Sequence, residues 1–179
     1  MSDALLIVWC STTGGTQQLA QAALRGAQQA LADLADADDS SPAAAPGSAC
    51  RLLHADEAGP EDVLGAASIL FATPEHLASM AGPMKHFFDR CWYPVLDRIN
   101  GRPHGIIVCA GSDGQGTIRQ LQRFATGWRL KEVAEPLLVM THAQTPEAIL
   151  APKTIPADEL EKAATLGATL AAGIAAGMW

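Results

Sequence analysis

The 179-residue sequence is poor in positive charge, with 12 Lys and Arg against 19 Asp and Glu and a formal net charge of −7 at pH 7. A nucleic-acid-binding face needs clustered basic side chains, so this balance argues against nucleic acid as a partner. The sequence also lacks any apolar run near the roughly 20 residues that a membrane-spanning helix requires. An acidic Asp3 stands where a secretion signal would be basic. We therefore expect a cytoplasmic protein that binds neither nucleic acid nor membrane.

Metal-ligating patterns are missing as well. The four cysteines and five histidines are scattered, with no C-x-x-C pair and no pair of histidines at metal-ligand spacing. We expect no metal site, and we interpret the cysteines as small buried hydrophobic residues. Hydrophobic residues make up 49% of the chain and charged residues 17%, which is typical of a globular domain.

Short apolar runs alternate with longer amphipathic segments along the chain. The apolar runs show little period-two alternation, which favours strands buried on both faces, as in a parallel sheet. Five strands are predicted at residues 4–9, 51–54, 68–72, 105–110 and 134–140. Five helices are predicted near residues 16–34, 60–66, 81–98, 116–127 and 157–177. With right-handed crossovers, this alternation predicts an α/β doubly wound fold with helices on both faces of one sheet.

Two segments interrupt the alternation within what we expect to be one domain over residues 1–179. Residues 33–48 (DLADADDSSPAAAPGS) have no periodicity, so we predict a flexible surface connection there. Residues 141–156 carry three prolines between the last strand and the last helix and are long for a loop. We expect that segment to cover either a neighbouring subunit or the rim of a site.

The stretch STTGGT, at residues 11–16, follows the first strand and opens the first helix. Backbone N–H groups at the positive end of a helix bind phosphate, while glycines permit close approach and hydroxyls add donors. The stretch is neither a Walker loop nor G-x-G-x-x-G, so its hydroxyls fit a phosphomonoester better than a pyrophosphate. On its own it is equally compatible with a capped turn.

Two further loops follow strands three and four. Residues 72–82 contain Pro74 and then a run of small residues that leaves room for a flat ligand, and residues 110–117 are glycine-rich. In doubly wound folds ligands bind at the carboxyl ends of the strands, where these loops meet the first one. Their convergence favours the phosphate interpretation.

These stretches resemble a known family. STTGGT is similar to the [ST]-x-T-G-x-T phosphate loop of flavodoxins. Residues 71–90, FATPEHLASMAGPMKHFFDR, resemble the "GTP…SMAGQMKxFxDR" segment of flavodoxin-like quinone oxidoreductases (the tryptophan-repressor-binding-protein-like group) and of NAD(P)H-dependent FMN reductases. The resemblance covers nearly the whole chain. It implies a three-layer flavodoxin-like fold with a five-stranded parallel sheet in the order 2-1-3-4-5, and FMN bound without a covalent link.

The resemblance also assigns candidate FMN-binding residues in three loops. The first set holds the phosphate and comprises Ser11, Thr12, Thr13, Gly14, Gly15, Thr16 and Gln17. The second set runs beside the isoalloxazine ring and comprises Thr73, Pro74, Glu75, His76, Leu77, Ala78 and Ser79. The third set flanks the ring from the other loop and comprises Ala110, Gly111, Ser112, Asp113, Gly114 and Gln115.

The ring-binding loops depart from flavodoxins because neither contains Trp, Tyr or Phe. An open ring face favours hydride exchange with NAD(P)H and a quinone-like acceptor over one-electron transfer with a protein partner, which stays the alternative. His76 and Glu75 are the candidate catalytic pair, with a solvated loop pair equally compatible. Glu75 is expected to place negative charge near the ring and lower its potential.

Lys85, His86 and Arg90 either attract a nucleotide phosphate or form a solvated helix face. The comparable region to residues 92–94 lies near the site and the tetramer interface in the quinone oxidoreductases, so the resemblance implies a homodimer or homotetramer.

Overall fold

A computed structural model of the protein describes residues 3–37 and 50–179. Its strands are β1 Asp3–Trp9, β2 Cys50–His54, β3 Ala66–His76, β4 Ser79–Met80, β5 Pro103–Ala110, β6 Lys131–Glu132 and β7 Leu137–Met140. Its helices are α1 Gly15–Ala37, α2 Pro60–Gly65, α3 Gly82–Val95, α4 Gln115–Gly127, α5 Pro146–Leu150 and α6 Ala157–Ala175. None of the helices in this part of the chain has the length and apolar character needed to span a bilayer.

The sheet has the predicted doubly wound order. Central strand β1 pairs in parallel with β2 on one side and with β3 on the other, and β5 continues the sheet beyond β3. Strand β5 then pairs in parallel with β7 at its carboxyl end and with the short β6 at its start. Strands β5 and β7 are the fourth and fifth predicted strands, so the order 2-1-3-4-5 is confirmed.

Each face of the sheet carries its own helices. Side chains alternate along β1, so that Leu5 and Ile7 point to one face and Leu6 and Val8 to the other. The first face packs against α1 and α6, and the second against α2, α3 and α4. Burial on both faces explains the uninterrupted apolar character of the strand.

Several predicted boundaries were wrong. Helix α1 continues through Ala37, so residues 33–37 are helical, because their Ala and Leu residues are good helix formers. The remainder of the predicted connection, residues 38–48, lies outside the described residues. The fifth strand begins only at Leu137, since Pro136 has no N–H to donate to a ladder. The segment 141–156 contains α5, which was not predicted.

Helices α1 and α6 approach each other so closely that glycine is required at the crossing. A Cβ at Gly26 would overlap the carbonyl oxygen of Ala164, and a Cβ at Gly167 would overlap that of Ala23. Because both obstacles are backbone atoms, neither substitution is relieved by a side-chain rotation. This contact sets the position of α6 and of the segment that precedes it.

We expect Gly26→Ala to lower the free energy of unfolding by about 1–3 kcal/mol, because the two helices must move apart. Urea denaturation measures this change. The matched control is Gly65→Ala, where a Cβ meets nothing within 4 Å. Equal stability of the two variants would contradict the close crossing.

His104, on β5, is a buried histidine with weak polar contacts. It is 2% exposed, and among the described residues neither ring nitrogen has a hydrogen-bond partner of normal geometry. Burial lowers its pKa below the usual value, and Glu132, with Oε2 3.9 Å from Nε2, and the backbone of Lys131 offset the shift only in part. The folded state therefore favours the neutral ring.

Stability should consequently fall in acid. The unfolded chain takes up a proton on His104 below about pH 6.5, whereas the folded chain does so only at lower pH. We expect the free energy of unfolding to fall by up to about 1.4 kcal/mol per pH unit in that interval from this one residue. Urea denaturation at a series of pH values should show a shallower slope for His104→Leu; an unchanged slope would rule out this contribution.

Candidate active site at the carboxyl edge of the sheet

A cavity of about 540 Å³ lies where β1, β3, β5 and β7 end, which is within the usual size range for small-molecule sites. The predicted loops meet there. Thirteen of the predicted residues line it: Ser11, Thr12, Thr13, Gly15, Thr16, Pro74, Glu75, His76, Leu77, Ala78, Ala110, Gly111 and Ser112. The described residues bring together no cluster of His, Cys, Asp or Glu side chains that could hold a metal ion.

The loop before α1 presents backbone donors to the cavity. Gly14 adopts φ +84°, and its N–H donates to the Ser11 hydroxyl at 3.1 Å, which closes the turn. The helix ladder starts with the N–H of Gln18 donating to the Gly14 carbonyl. The N–H groups of the preceding three residues have no partner within the helix and lie at its positive end. The arrangement is a binding site for an anion.

The hydroxyl of Thr16 adds a donor to the same place. The side chain is 1% exposed, and its Oγ1 has no hydrogen-bond partner among the described residues. It faces the thiol of Cys109, a weak acceptor whose pKa burial raises to about 11. The thiol is a poor partner for this hydroxyl, so a phosphate oxygen beside Thr16 would be a stronger acceptor.

A tight hairpin forms the opposite wall. Strands β3 and β4 are joined by Leu77 and Ala78, which have φ of 52° and 61°, as in a type I′ turn. Such a turn favours glycine or asparagine, so this one is strained. Gln120 of α4 holds it in place, since its Oε1 accepts hydrogen bonds from the Ser79 hydroxyl at 2.8 Å and the Met80 N–H at 2.9 Å.

Glu75 and His76 do not act on each other. Oε1 of Glu75 accepts from the N–H of Gly114 at 3.0 Å, and Oε2 accepts from the Thr117 hydroxyl at 2.9 Å. Nε2 of His76 instead lies 3.2 Å from the Thr12 hydroxyl, which joins the hairpin to the first loop. The carboxylate of Glu75 thus fastens the hairpin to the N-terminus of α4, which argues against a Glu75–His76 proton relay and against a carboxylate aimed freely at the ring.

Seven predicted residues do not line the cavity: Gly14, Gln17, Thr73, Ser79, Asp113, Gly114 and Gln115. Most of them support the loops. The hydroxyl of Thr73 accepts from the Ala81 N–H at 3.2 Å, and Gly114 adopts φ +80° at the start of α4. The side chain of Gln17 is exposed, so only its backbone N–H, in the first turn of α1, is placed for the phosphate.

Six lining residues were not predicted: Cys109, Thr141, Ala143, Ile149, Leu150 and Lys153. Five of them belong to the segment after β7, which therefore lies at the rim of the site. Gln18 fixes the segment, because its Nε2 donates to the Lys153 carbonyl at 2.7 Å and its Oε1 accepts from the Ile155 N–H at 3.2 Å. Because Gln18 contacts only backbone atoms of the segment, the sequence carries no signal for these lining residues.

The basic residues of α3 do not reach the cavity. Lys85 forms an ion pair with Asp89 at 2.6 Å on the same helix. The guanidinium of Arg90 donates to the carbonyls of Ala55 at 2.9 Å and Ala58 at 2.6 Å. The interpretation as a solvated, structural face therefore fits better than a nucleotide-phosphate site.

Comparison with known proteins agrees with this geometry. Residues 4–145 match the sequence model of the family described as NADPH-dependent FMN reductase. The chain belongs to this family. Family membership makes FMN the flavin of this chain, and the anion site at the first turn of α1 agrees with that cofactor.

Relatives of these reductases include flavodoxins. A flavodoxin from Aquifex aeolicus is 30% identical over 112 residues, which cover 63% of this chain and 50% of that protein, so the chain spans about half the length of the curated relative it matches. An archaeal flavodoxin structure has a TM-score of 0.71 at 15% identity, covering 96% of this chain and 98% of its own. A WrbA-like flavodoxin from Agrobacterium tumefaciens has a TM-score of 0.65 at 18% identity, covering 99% of both chains. The structural matches establish the flavodoxin-like fold.

The residues present fit FMN. The unpartnered Thr16 hydroxyl and the free N–H groups of the first turn of α1 match a phosphate, which offers several strong acceptor oxygens. Gly15 is needed there, because a Cβ would lie 3.0 Å from the Cys109 sulfur and 3.4 Å from the Lys153 Cβ.

Replacing Thr16 by valine should therefore separate stability from binding. We expect Thr16→Val to leave the flavin-free protein as stable as wild type or slightly more stable, because an unsatisfied hydroxyl is removed. FMN affinity should fall by at least about tenfold, since a hydrogen bond to a charged group contributes roughly 1.5–3 kcal/mol. Fluorescence titration with FMN measures this, and Thr16→Ser is the control that keeps the hydroxyl. Unchanged affinity in Thr16→Val would contradict the assignment.

Proposed function

We propose that the protein is a cytoplasmic FMN-dependent oxidoreductase that transfers electrons from NAD(P)H to a quinone or a similar small acceptor. The observation that supports it is the lining of the cavity. Among the described residues that line it there is no Trp, Tyr or Phe, and the imidazole of His76 is its one aromatic ring. Without a covering indole or phenol, both a nicotinamide and a flat acceptor have room to reach a ring held in the cavity.

Bound FMN supplies the hydride and electron-transfer chemistry itself. The chain's residues hold and orient it. The first turn of α1 and Thr16 would bind the phosphate, and the hairpin would present backbone groups on one side of the ring. Residues 110–112 would flank the other side. The hydrogen bonds of Glu75 and Gln120 to their neighbours keep these walls rigid, which limits reorganisation during electron transfer.

Electron transfer to a protein partner is the second candidate. The similarity to the Aquifex aeolicus flavodoxin and the net charge of −7 favour it, because an acidic surface attracts a basic redox partner. The lack of ring-covering aromatics supports the reductase instead. For either function we propose a homodimer or homotetramer, with Tyr93 of α3, 79% exposed, as a contact residue.

The decisive experiment mixes the FMN-loaded protein with NADH or NADPH without oxygen and follows the loss of flavin absorbance. We expect rapid reduction by at least one nucleotide, followed by reoxidation when a benzoquinone is added. Steady-state nucleotide oxidation then reports turnover.

The two candidates give different results. A flavin that dithionite reduces and neither nucleotide reduces would contradict the reductase and support the electron carrier. A protein that takes up no FMN would contradict both.

A further inference from the structure

Among the described residues that line the cavity, Lys153 is the one Lys or Arg. It lies beside the phosphate loop, although 140 residues separate it from Thr13 in the sequence. Its backbone N–H donates to the Thr13 carbonyl at 2.8 Å. Its Cβ would stand 3.4 Å from a Cβ placed on Gly15. These two contacts, one through the backbone N–H and one through the Cβ, place Lys153 at the wall of the anion site.

The ammonium group of Lys153 has no carboxylate partner. Nζ donates to three carbonyls at the end of α5, those of Ala148 at 2.8 Å, Ile149 at 2.9 Å and Ala151 at 2.5 Å. None of the ion pairs between described residues involves Lys153. Its charge also partly offsets the raised pKa of the nearby Cys109 thiol. Among the described residues, the ammonium group of Lys153 is thus bound only by neutral carbonyls, while its backbone and Cβ lie against the phosphate loop.

The three carbonyls belong to the helix that completes the rim. Ile149 and Leu150 of α5 line the cavity, yet they are 51% and 77% exposed. Lys153 binds the C-terminus of this short helix, so it joins the apolar rim to the phosphate loop. The same side chain therefore touches the part of the site that would meet the phosphate and the part that would meet the rest of the ligand.

We propose that Lys153 is the counter-charge for the FMN phosphate. The proposal rests on the proposed FMN site. Residues 11–17 contain no Lys or Arg, so their N–H and hydroxyl donors leave a phosphate of charge −1.5 to −2 uncompensated. Lys153 supplies the missing charge from the rim segment. Lys153 therefore contributes to binding of the phosphate and not to binding of the isoalloxazine ring.

Comparing FMN with riboflavin, which lacks the phosphate, isolates this role. We would measure both dissociation constants by flavin fluorescence at about pH 8, where the phosphate is a dianion, for the wild type, Lys153→Met, Lys153→Gln and Lys153→Arg. Lys153→Gln removes the charge but keeps donors for the α5 carbonyls. Lys162→Met, which removes an exposed lysine of α6 paired with Glu159, is the matched control. Thermal unfolding of each flavin-free variant establishes that it is folded.

We expect Lys153→Met and Lys153→Gln to weaken FMN binding about tenfold while changing riboflavin binding less than about twofold. Lys153→Arg and Lys162→Met should stay near the wild-type values. Raising NaCl from about 0.05 to 0.5 M should reduce FMN affinity more in the wild type than in Lys153→Gln.

Equal weakening of FMN and riboflavin would show that Lys153 only supports α5, and no weakening of either would also overturn the proposal. If wild-type protein binds riboflavin and FMN normally but the variants show no phosphate-specific loss, this proposal fails while the proposed function stands. If the wild type binds no flavin, the proposed function fails first and this proposal with it.

Discussion

The first turn of α1 leaves three N–H groups without partners within the helix, and the rest of the site depends on that constraint. A buried parallel strand ends at Trp9, and the chain must turn into a helix within five residues. Gly14 makes this possible with a positive φ, and Ser11 closes the turn with its hydroxyl. The remaining N–H donors lie at the positive end of α1, where Thr16 forms part of the cavity wall, and call for an anion. Family membership identifies that anion as the phosphate of FMN.

The hairpin of β3 and β4, which forms the wall opposite the phosphate loop, shows how backbone strain is maintained next to a binding site. Leu77 and Ala78 occupy a turn that glycine would occupy more easily. Gln120 of α4 accepts hydrogen bonds from one end of this hairpin, and Glu75 at the other end accepts one from the Gly114 N–H, so these contacts hold the backbone in place. A rigid hairpin of this kind presents its backbone groups in one orientation, which is what a positioned flavin ring requires.

Local patterns predicted much of this arrangement. The apolar runs identified the strands, and the glycine-rich loops after strands one, three and four identified three of the walls, because each signal is contained within a few residues. The fourth wall was predicted only as a segment, residues 141–156, that covers either a site rim or a neighbouring subunit; its lining residues were not predicted because they depend on contacts distant in sequence. Lys153 reaches Thr13 only after the chain has built β7 and α5, and Gln18 recognises it through backbone atoms that carry no sequence signature. The hydrogen bond from the Gly114 N–H to the Glu75 carboxylate was not predicted for a similar reason, because the two residues are 39 positions apart.

The ionisation of the FMN phosphate in the complex tests the central claim most directly. Donors that converge on the phosphate stabilise its dianion, so its second pKa, about 6 in water, should be depressed well below that value. The ³¹P resonance of bound FMN is therefore expected to stay constant from about pH 5.5 to 8. A bound resonance that shifts with pH as that of free FMN does would show that the phosphate is in solvent, and would contradict a site built on the first turn of α1.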